Sequence, residues 1–346
     1  MSREVQSTSG EISPIIKEKA PLILVEIQKA KSILLHFHPS PDPDSVGSAL
    51  AMKFALEQIG KKVTVIKGDS EFPRGFKHFP GAGEIVEKNF LEIDQSQFDL
   101  FIIIDSAQPQ MVSRRGEIKF APNLKTIAID HHATNRQFAE INLLESAYPA
   151  SCQILFDLFK LWEVKLTPEI SANLFIGIYT DTGAFKYRGV TQHTYEIIGE
   201  LVKHIPDVSD LITRMENSNS PQLIAFEAAA LDSIEVFCGG RFALAAVPST
   251  VIKSKNIPTA DVRTSEVSSF MLTVAEWDFV AAAAEIDSNV IKFSFRSKDI
   301  EKYDVAKLTE SLGGGGHRAA AGLILRMPFD EAKKLVVQKA EELYKL

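Results

Sequence analysis

Short apolar runs alternate with helical repeats between residues 31 and 203. Four runs rich in branched and aromatic residues predict β-strands, and the third is too apolar to be exposed on either face. Strands that alternate with helices are typical of an α/β domain with a mostly parallel sheet and flanking helices. The predicted strands are Ser32–His38, Lys62–Lys67, Phe98–Asp105 and Thr126–Asp130.

A helix is expected after the first strand, beginning near Ser45, because apolar residues follow at helical spacing and Gly60 closes the pattern. From Pro206 to Leu231 the spacing is again helical, and an Asn-Ser-Asn-Ser-Pro stretch interrupts it. Two β-hairpins follow, around residues 238–241 and 287–289. The chain is therefore predicted to contain an α/β domain (1–205), a helical connector (206–231) and a smaller α+β domain (232–346).

Composition agrees with two folded domains. The chain has 346 residues, of which 45% are hydrophobic and 24% charged, which is typical of globular proteins and not of disordered ones. The net charge of -7 excludes a broad basic field for long nucleic acids, so local cations must hold any anionic substrate.

Cellular location is predicted from what the sequence lacks. Its apolar runs are too short for a membrane span, and the first thirty residues show no signal-peptide pattern, so we expect a cytoplasmic protein that does not cross a membrane. Cys152 and Cys238 lie in apolar stretches without a CxxC partner, and we expect both to be reduced core residues.

Metal-binding residue types follow three of the predicted strands, and Asp181 follows an apolar helix. Ligands bind at the carboxyl ends of strands in open parallel sheets. Imidazole and carboxylate groups without sulfur suit two divalent ions, with Mn²⁺ favoured and Mg²⁺, Fe²⁺ or Co²⁺ as alternatives, and so predict a two-metal hydrolase site. The candidates are His38, Asp42, Asp44, Asp105, Asp130, His131, His132 and Asp181.

A purely structural role for these residues is disfavoured. A single aspartate at a strand end is usually a turn former. Burying several carboxylates together without cations, however, costs several kcal/mol for each. By contrast, His36 is expected to be structural, and we assign no role to His78, His193 and His204, which lack carboxylate neighbours at ligand spacing.

The C-terminal domain supplies candidate cations and anion-binding amides. Gly313–Gly316 precede Arg318–Ala321, a stretch that favours a helix, so successive amides are expected to form a phosphate nest in front of a helix dipole. Alternation from Ile291 to Lys298 places the cationic side chains on one strand face, where the planar fork of Arg296 suits phosphate. The predicted substrate-binding residues are Arg296, Gly314, Gly315, Gly316 and His317.

Two stretches of the sequence resemble motifs of a known superfamily. Asp130-His131-His132 after an apolar strand, with His38-x3-Asp42-x-Asp44 upstream, resembles the DHH phosphoesterases. Gly313–His317, followed by Ala319-Ala320-Ala321-Gly322, is similar to the GGGH motif of the DHHA1 domain. The resemblance runs from about Ser32 to the C-terminus, and the two-domain size is most similar to the oligoribonuclease and pAp phosphatase branch, called NrnA-like.

This resemblance implies a mechanism. A hydroxide bridging two metal ions would attack phosphorus, Asp130 would orient an imidazole, and His132 would donate to the scissile phosphate. Asp105 would bridge the two ions. One Mn²⁺ would be held by His38, Asp42 and Asp105, and the other by Asp44, Asp105, His131 and Asp181.

The implied enzyme trims short oligonucleotides from one end and also hydrolyses pAp. A phosphodiesterase for cyclic dinucleotides or linear pApA is a close alternative that the motifs do not separate. A RecJ-like exonuclease, an inorganic pyrophosphatase and a catalytically silent nucleotide-binding protein are disfavoured, the last because none of the four ligand aspartates is replaced. The expected partners are short single-stranded oligonucleotides or nucleotides, and the sequence leaves the oligomeric state open, a homodimer included.

Overall fold

The computed structural model describes residues 11–69, 72, 74–187, 189–217 and 219–345. The chain divides into two units, Met1–Ser218 and Asn219–Leu346. This division falls inside the predicted connector at its interrupting turn, so the two connector helices belong to different units.

The N-terminal unit is built on a five-stranded parallel sheet of order β2-β1-β3-β4-β5. Its elements are α1 (Pro14–Lys29), β1 (Ser32–His36), α2 (Pro43–Gln58), β2 (Lys62–Ile66), β3 (Leu100–Ile104), β4 (Lys125–Asp130), β5 (Ile141–Leu144), α3 (Ser151–Leu161), α4 (Pro168–Asp181), α5 (Gln192–Leu201) and α6 (Val208–Glu216).

The four predicted strands are confirmed, and the third, β3, is buried along its whole length as its apolar run predicts. The sequence analysis missed β5, a four-residue edge strand whose side chains are mostly half-buried. Such a short strand at a sheet edge carries little apolar alternation, which is why its sequence gives a weak signal.

The two faces of the sheet are covered differently. Helices α1, α2 and α3 pack on one face, against side chains such as Ile33, Ile102 and Ile129, and α4 and α5 pack in turn on α2 and α3. On the other face, Phe101 stacks on Phe90 from an irregular segment, with ring centroids 5.1 Å apart. Flanking helices are therefore confirmed on one face, and loops with short 3₁₀ turns cover the other.

The C-terminal unit contains a six-stranded sheet of order β10-β11-β9-β8-β7-β6, in which the neighbours β7 and β8 are parallel and the other pairs are antiparallel. Both predicted hairpins are confirmed, as β6-β7 and β8-β9. Its elements are α7 (Pro221–Asp232), β6 (Glu235–Phe237), β7 (Phe242–Val247), α8 (Ser249–Ser254), α9 (Thr259–Thr264), α10 (Val267–Met271), β8 (Phe279–Asp287), β9 (Val290–Ser297), α11 (Val305–Glu310), β10 (Gly315–His317), β11 (Ala320–Arg326) and α12 (Phe329–Tyr344).

The predicted helix at Arg318–Ala321 is wrong. These residues form the turn between β10 and β11 and the start of β11, which pairs antiparallel with β9. Alanine favours helices by less than about 1 kcal/mol per residue over most other types, so pairing within a sheet overrides that preference. In the described part of the chain, none of the helices has both the length and the apolar character of a membrane span.

The close packing of α2 against α4 generates a stability prediction. A Cβ atom on Gly47 would lie 2.5 Å from the backbone oxygen of Asn173, which is fixed in α4. We expect Gly47→Ala to lower the free energy of unfolding by about 1–3 kcal/mol, because the two helices must separate to admit the methyl group. Equilibrium denaturation in urea measures this change.

Gly199→Ala is the matched control, since Gly199 lies in α5 and a Cβ atom there would have no heavy atom within 4 Å. This substitution should leave stability unchanged or raise it by up to about 1 kcal/mol through helix propensity. Equal stability of both variants would contradict a tight α2–α4 contact.

Candidate metal centre

The loop after β1 and the start of α2 carry three candidate ligands. His38 lies in the loop, and Asp42 caps α2 by accepting a hydrogen bond from the Ser45 amide at 2.9 Å. Pro43 occupies the first helical turn, and the backbone of Asp42 is extended, the conformation that a following proline favours. Asp44 follows in the first turn with only 1% of its surface exposed. The helix start therefore holds two carboxylates close to the end of β1.

Asp105 directly follows β3 and has left-handed backbone, with φ 56°. This conformation is unfavourable for most residues other than glycine, although aspartate tolerates it better than most. Its Oδ2 lies 3.4 Å from His38 Nε2, and its Oδ1 lies 3.5 Å from His131 Nε2. One buried carboxylate thus connects the loops that follow β1 and β4.

His131 is held from both sides. Its Nδ1 lies 3.3 Å from the backbone oxygen of Tyr148, and its Nε2 lies 3.3 Å from Asp181 Oδ2 at the end of α4. A hydrogen bond from Nδ1–H to the carbonyl fixes the tautomer that leaves the Nε2 lone pair for a ligand. His131 therefore has the outer contact that is typical of metal-binding histidines.

His132 is oriented by Asp130, the last residue of β4. The Nδ1 atom of His132 lies 2.7 Å from Asp130 Oδ1, and the side-chain amide of Asn135 donates to Asp130 Oδ2 at 2.7 Å. Asp130 therefore orients an imidazole, the contact that its predicted role requires, and Asn135 is a supporting residue that the sequence analysis missed.

The candidate ligand atoms converge into three overlapping groups, in each of which all atoms lie within 4.8 Å of one another. The first predicted ligand set forms one of these groups, whereas the second is divided between two groups that share His131. The structure also adds His132 to a group, although the sequence analysis assigned His132 to the substrate. The groups are His38–Asp42–Asp105, Asp105–His131–His132 and Asp44–His131–Asp181.

The electrostatics of the cluster indicate that it fits cations. Burial, together with the charge of Asp105, raises the pKa of Asp44 to about 7. Burial alone would raise the pKa of Asp105, but hydrogen bonds from His131 and His38 hold it well below its usual range. Burial opposes protonation of His38, yet Asp42 and Asp105 raise its pKa to about 10. Carboxylates crowded in one buried site repel each other, and a bound cation would relieve this repulsion. Carboxylate and imidazole donors without thiolates suit divalent metals.

Backbone groups that the sequence analysis missed support Asp44. The amides of Ser151 and Cys152, at the N-terminus of α3, donate to its two carboxylate oxygens at 2.7 and 3.0 Å. The Ser151 hydroxyl also donates to Asp105 at 3.0 Å. Helix N-termini favour negative charge, so α3 helps to hold the acidic cluster together.

A buried network lies behind His131. The Tyr148 hydroxyl donates to Asp157 at 2.6 Å, and His193 Nε2 lies 2.9 Å from the same carboxylate oxygen. His193 therefore has a carboxylate partner from α3, which the spacing of the sequence did not reveal. In contrast, His36 packs edge-on to Phe101, and burial lowers its pKa to about 4, which agrees with a structural role.

The predicted substrate residues lie in the C-terminal unit. His317 of β10 and Arg296 of β9 both pair with Ala320 of the intervening strand, so their side chains point to the same sheet face. Arg296 is half-buried and donates to its neighbouring carbonyl, and His317 is exposed.

The predicted phosphate nest requires a correction. The amides of Gly313 and Gly314 donate to the carbonyls of Glu310 and Thr309, where they close the C-terminus of α11. A Cβ atom on Gly316 would also lie 2.6 Å from Ala321 Cα. These glycines close a helix and allow β10 to approach β11, and the described chain continues from them into a strand and not into a helix.

Comparisons with known proteins agree with this architecture. Residues 32–178 match the model of the DHH family, N-terminal domain. The chain is also 25% identical over 323 residues to the bifunctional oligoribonuclease and PAP phosphatase NrnA of Thermus thermophilus, covering 92% of this chain and 93% of the relative. Residues 32–178 of this chain thus carry a DHH domain, and nearly the whole chain is similar to NrnA. The family match ends before the C-terminal unit, so the DHHA1 assignment stays a prediction.

Solved structures share the fold of this chain. An exopolyphosphatase-related protein from Bacteroides fragilis superimposes with a TM-score of 0.86 at 23% identity, covering 95% of this chain and 97% of the other. RecJ of Thermus thermophilus in complex with Mn²⁺ superimposes with a TM-score of 0.54 at 15% identity, covering 97% of this chain and 56% of RecJ. The chain thus spans about half of the RecJ structure.

The protonation of the cluster predicts how metal binding depends on pH. His38, with its pKa near 10, and Asp44, near 7, hold protons in the metal-free protein that a bound cation must displace. We expect the affinity for Mn²⁺ to rise as the pH increases from about 6 to 8, with protons released on binding. Titration calorimetry in two buffers of different ionisation enthalpy measures both effects. An affinity that does not change with pH would contradict this assignment of the ligands.

Proposed function

We propose that this DHH phosphoesterase uses two divalent cations to hydrolyse short oligonucleotides from one end, and pAp to AMP. One observation carries the proposal: the two oxygens of the buried Asp105 carboxylate face His38 on one side and His131 on the other. A carboxylate between two ligand sets is the arrangement that a bridged pair of metals requires. The activities in the names of the NrnA relatives support the substrate class.

The residues that would hold the ions follow from the groups described above, and Mn²⁺ suits their nitrogen and oxygen donors. When bound, a pair of such ions polarises a phosphoryl oxygen and lowers the pKa of water near it. His38, Asp42 and Asp105 would form one set, and Asp44, Asp105, His131 and Asp181 the other.

His132 and Asp130 would stabilise charge on the phosphate. Burial opposes protonation of His132, but the hydrogen bond to Asp130 and the charge of Asp105 raise its pKa. The imidazole keeps a proton on Nδ1, directed at the Asp130 carboxylate, which is fixed in turn by Asn135. A positively charged ring held in this way would stabilise the negative charge that develops on the phosphoryl oxygens.

The C-terminal unit would bind the end of the substrate. Arg296 and His317 share a sheet face with Lys292 and Ser294, and the side chains of all four residues can donate hydrogen bonds to anions. The guanidinium fork of Arg296 suits a terminal phosphate. Gly314, Gly315 and Gly316 would contribute by keeping the backbone close beside His317, in place of the nest first expected.

Asp105→Asn tests the proposed metal pair. Asparagine also tolerates left-handed backbone, so the fold should survive while the shared negative charge is lost. We expect kcat on pAp with Mn²⁺ to fall by more than about 100-fold, which corresponds to roughly 2.7 kcal/mol of the barrier. A chelator should silence the wild-type enzyme reversibly.

Asp99→Asn is the matched control, because Asp99 directly precedes β3, at the opposite end of the strand from Asp105. Its carboxylate accepts hydrogen bonds from the amides of Lys31 and Ser32, so its loss should change stability and leave kcat unchanged. If folded Asp105→Asn keeps more than about a tenth of wild-type kcat, the bridging role is wrong.

The net charge of -7 predicts selectivity for short substrates. Each added nucleotide brings a phosphate toward an acidic protein that cannot offset it by counterion release. We expect kcat/KM to be highest for RNA of about two to five nucleotides and to fall for longer RNA, more steeply at low salt, where repulsion is less screened.

A substrate panel measures this selectivity: pAp, pApA, cyclic di-AMP and RNA from about 2 to 24 nucleotides, at two ionic strengths. Faster cleavage of the longest RNA at low salt would support a RecJ-like activity instead. Turnover of cyclic di-AMP or pApA with little on pAp or RNA would support a dinucleotide phosphodiesterase.

A further inference from the structure

The segment after the candidate ligand Asp181 has an unusual backbone. Gly183, Ala184 and Phe185 are three consecutive residues with left-handed conformation, at φ 57°, 57° and 64°. Only glycine adopts this conformation without steric conflict, so alanine and phenylalanine here are strained. Strain of this kind persists where the surroundings enforce it, and it is common at functional sites.

Thr182 enforces this turn. Its hydroxyl accepts a hydrogen bond from the Phe185 amide at 3.1 Å, and its carbonyl accepts from the amides of Lys186 and Tyr187 at 3.0 Å each. Thr182 is itself fully buried. These hydrogen bonds fold the chain back on itself, which brings Tyr187 close to Gly183.

The ring of Tyr187 consequently lies against the backbone of Gly183. A Cβ atom on Gly183 would be 2.4–2.7 Å from three carbons of that ring, so only glycine permits the contact. Gly183 Cα is at most about 7.6 Å from Asp181 Cα, because consecutive Cα atoms are about 3.8 Å apart. The ring of Tyr187 is thus held against a residue that lies two positions after the candidate ligand Asp181.

The turn directs its two aromatic rings differently. Phe185 packs between Tyr179 and Tyr195, with ring centroids 5.8 and 5.6 Å away, and so belongs to the aromatic packing of α4 and α5. Tyr187 remains 52% exposed, and among the described residues it has no ring partner. Tyr187 therefore presents an aromatic face to solvent, whereas the ring of Phe185 is packed against other rings.

We propose that Tyr187, fixed on Gly183 by the left-handed turn, is the stacking surface for a nucleobase of the substrate, adjacent to the metal centre. The proposal deepens the function proposed above and rests on it. A base has an aromatic face whatever its identity, so such a contact binds nucleotides without strong sequence preference. Such stacking would let the N-terminal unit recognise a nucleotide by itself, independently of the cationic side chains on β9 and β10.

Kinetics of the Mn²⁺-loaded enzyme test this assignment with Tyr187→Leu, which covers Gly183 but has no aromatic face, and Tyr187→Phe, which keeps the ring. We expect Tyr187→Leu to raise KM for pAp by about 5- to 100-fold with little change in kcat, and Tyr187→Phe to retain most of the affinity. Phe270→Leu is the matched control, since Phe270 is 62% exposed on α10 of the other unit.

Ribose 3,5-bisphosphate, which lacks a base, separates stacking from a structural effect on Asp181. Wild type and Tyr187→Leu should cleave it with equal KM. A similar loss on both substrates would mean that Tyr187 only supports the turn, and an unchanged KM for pAp would mean that it does not touch the base. Either result overturns the proposal.

A binding measurement keeps this test independent of turnover. The fluorescence of 2-aminopurine riboside 5′-monophosphate should be quenched by wild type and by Tyr187→Phe, and not by Tyr187→Leu. Quenching that is equal in all three proteins would overturn the stacking assignment even if the proposed nuclease function holds. Quenching with the expected pattern, but without hydrolysis of any nucleotide, would overturn the function and leave the stacking surface in place.

Discussion

The candidate centre depends on one buried carboxylate that is shared between two histidines. Asp105 leaves β3 in a left-handed conformation, which turns its side chain toward the loops that follow the strands on either side. An isolated carboxylate at this depth would be neutral, but hydrogen bonds from His131 and His38 keep its pKa well below its usual range. The charge of Asp105 in turn raises the pKa of both histidines, so the charge states of these three side chains depend on one another.

Other contacts in the N-terminal unit fix the side chains of this cluster in place. Two amides at the start of α3 hold Asp44, and the Tyr148 carbonyl holds His131. Behind them, Tyr148 and His193 both bind Asp157, a fully buried carboxylate that α3 supplies. Like charges in one buried site repel, and a rigid scaffold is what keeps them close enough to bind cations. The sheet and its helices thus determine the geometry of the candidate ligands, and these residues themselves determine only the chemistry.

The elements that were predicted correctly are those whose local sequence pattern agrees with their position in the fold. The first four strands, the start of α2 and both C-terminal hairpins follow from apolar spacing and turn residues. The sequence also identified the candidate ligand residues that the structure brings together, because carboxylates and imidazoles gathered at strand ends are costly to bury unless they bind cations. The supporting contacts were not found. The Ser151 and Cys152 amides act through the backbone, and the Asp157–His193 pair joins residues 36 positions apart, so neither leaves a motif in the sequence.

The glycine run shows that a sequence pattern can also predict a binding site that the structure does not support. A stretch of four glycines before a histidine resembles an anion nest, but an amide can bind phosphate only if no carbonyl already accepts its proton. Here the amides of Gly313 and Gly314 close α11, and Gly316 is needed because a strand passes close to its Cα. A glycine at position 183 serves a third purpose, since it leaves space for the ring of Tyr187. Glycine therefore marks a position where something approaches the backbone, and only the structure shows whether that is a ligand, a strand or a side chain. The chemistry of this protein is for that reason easier to infer from its sequence than its substrate, because candidate metal ligands are set by residue type whereas substrate contacts depend on which exposed groups the fold leaves open.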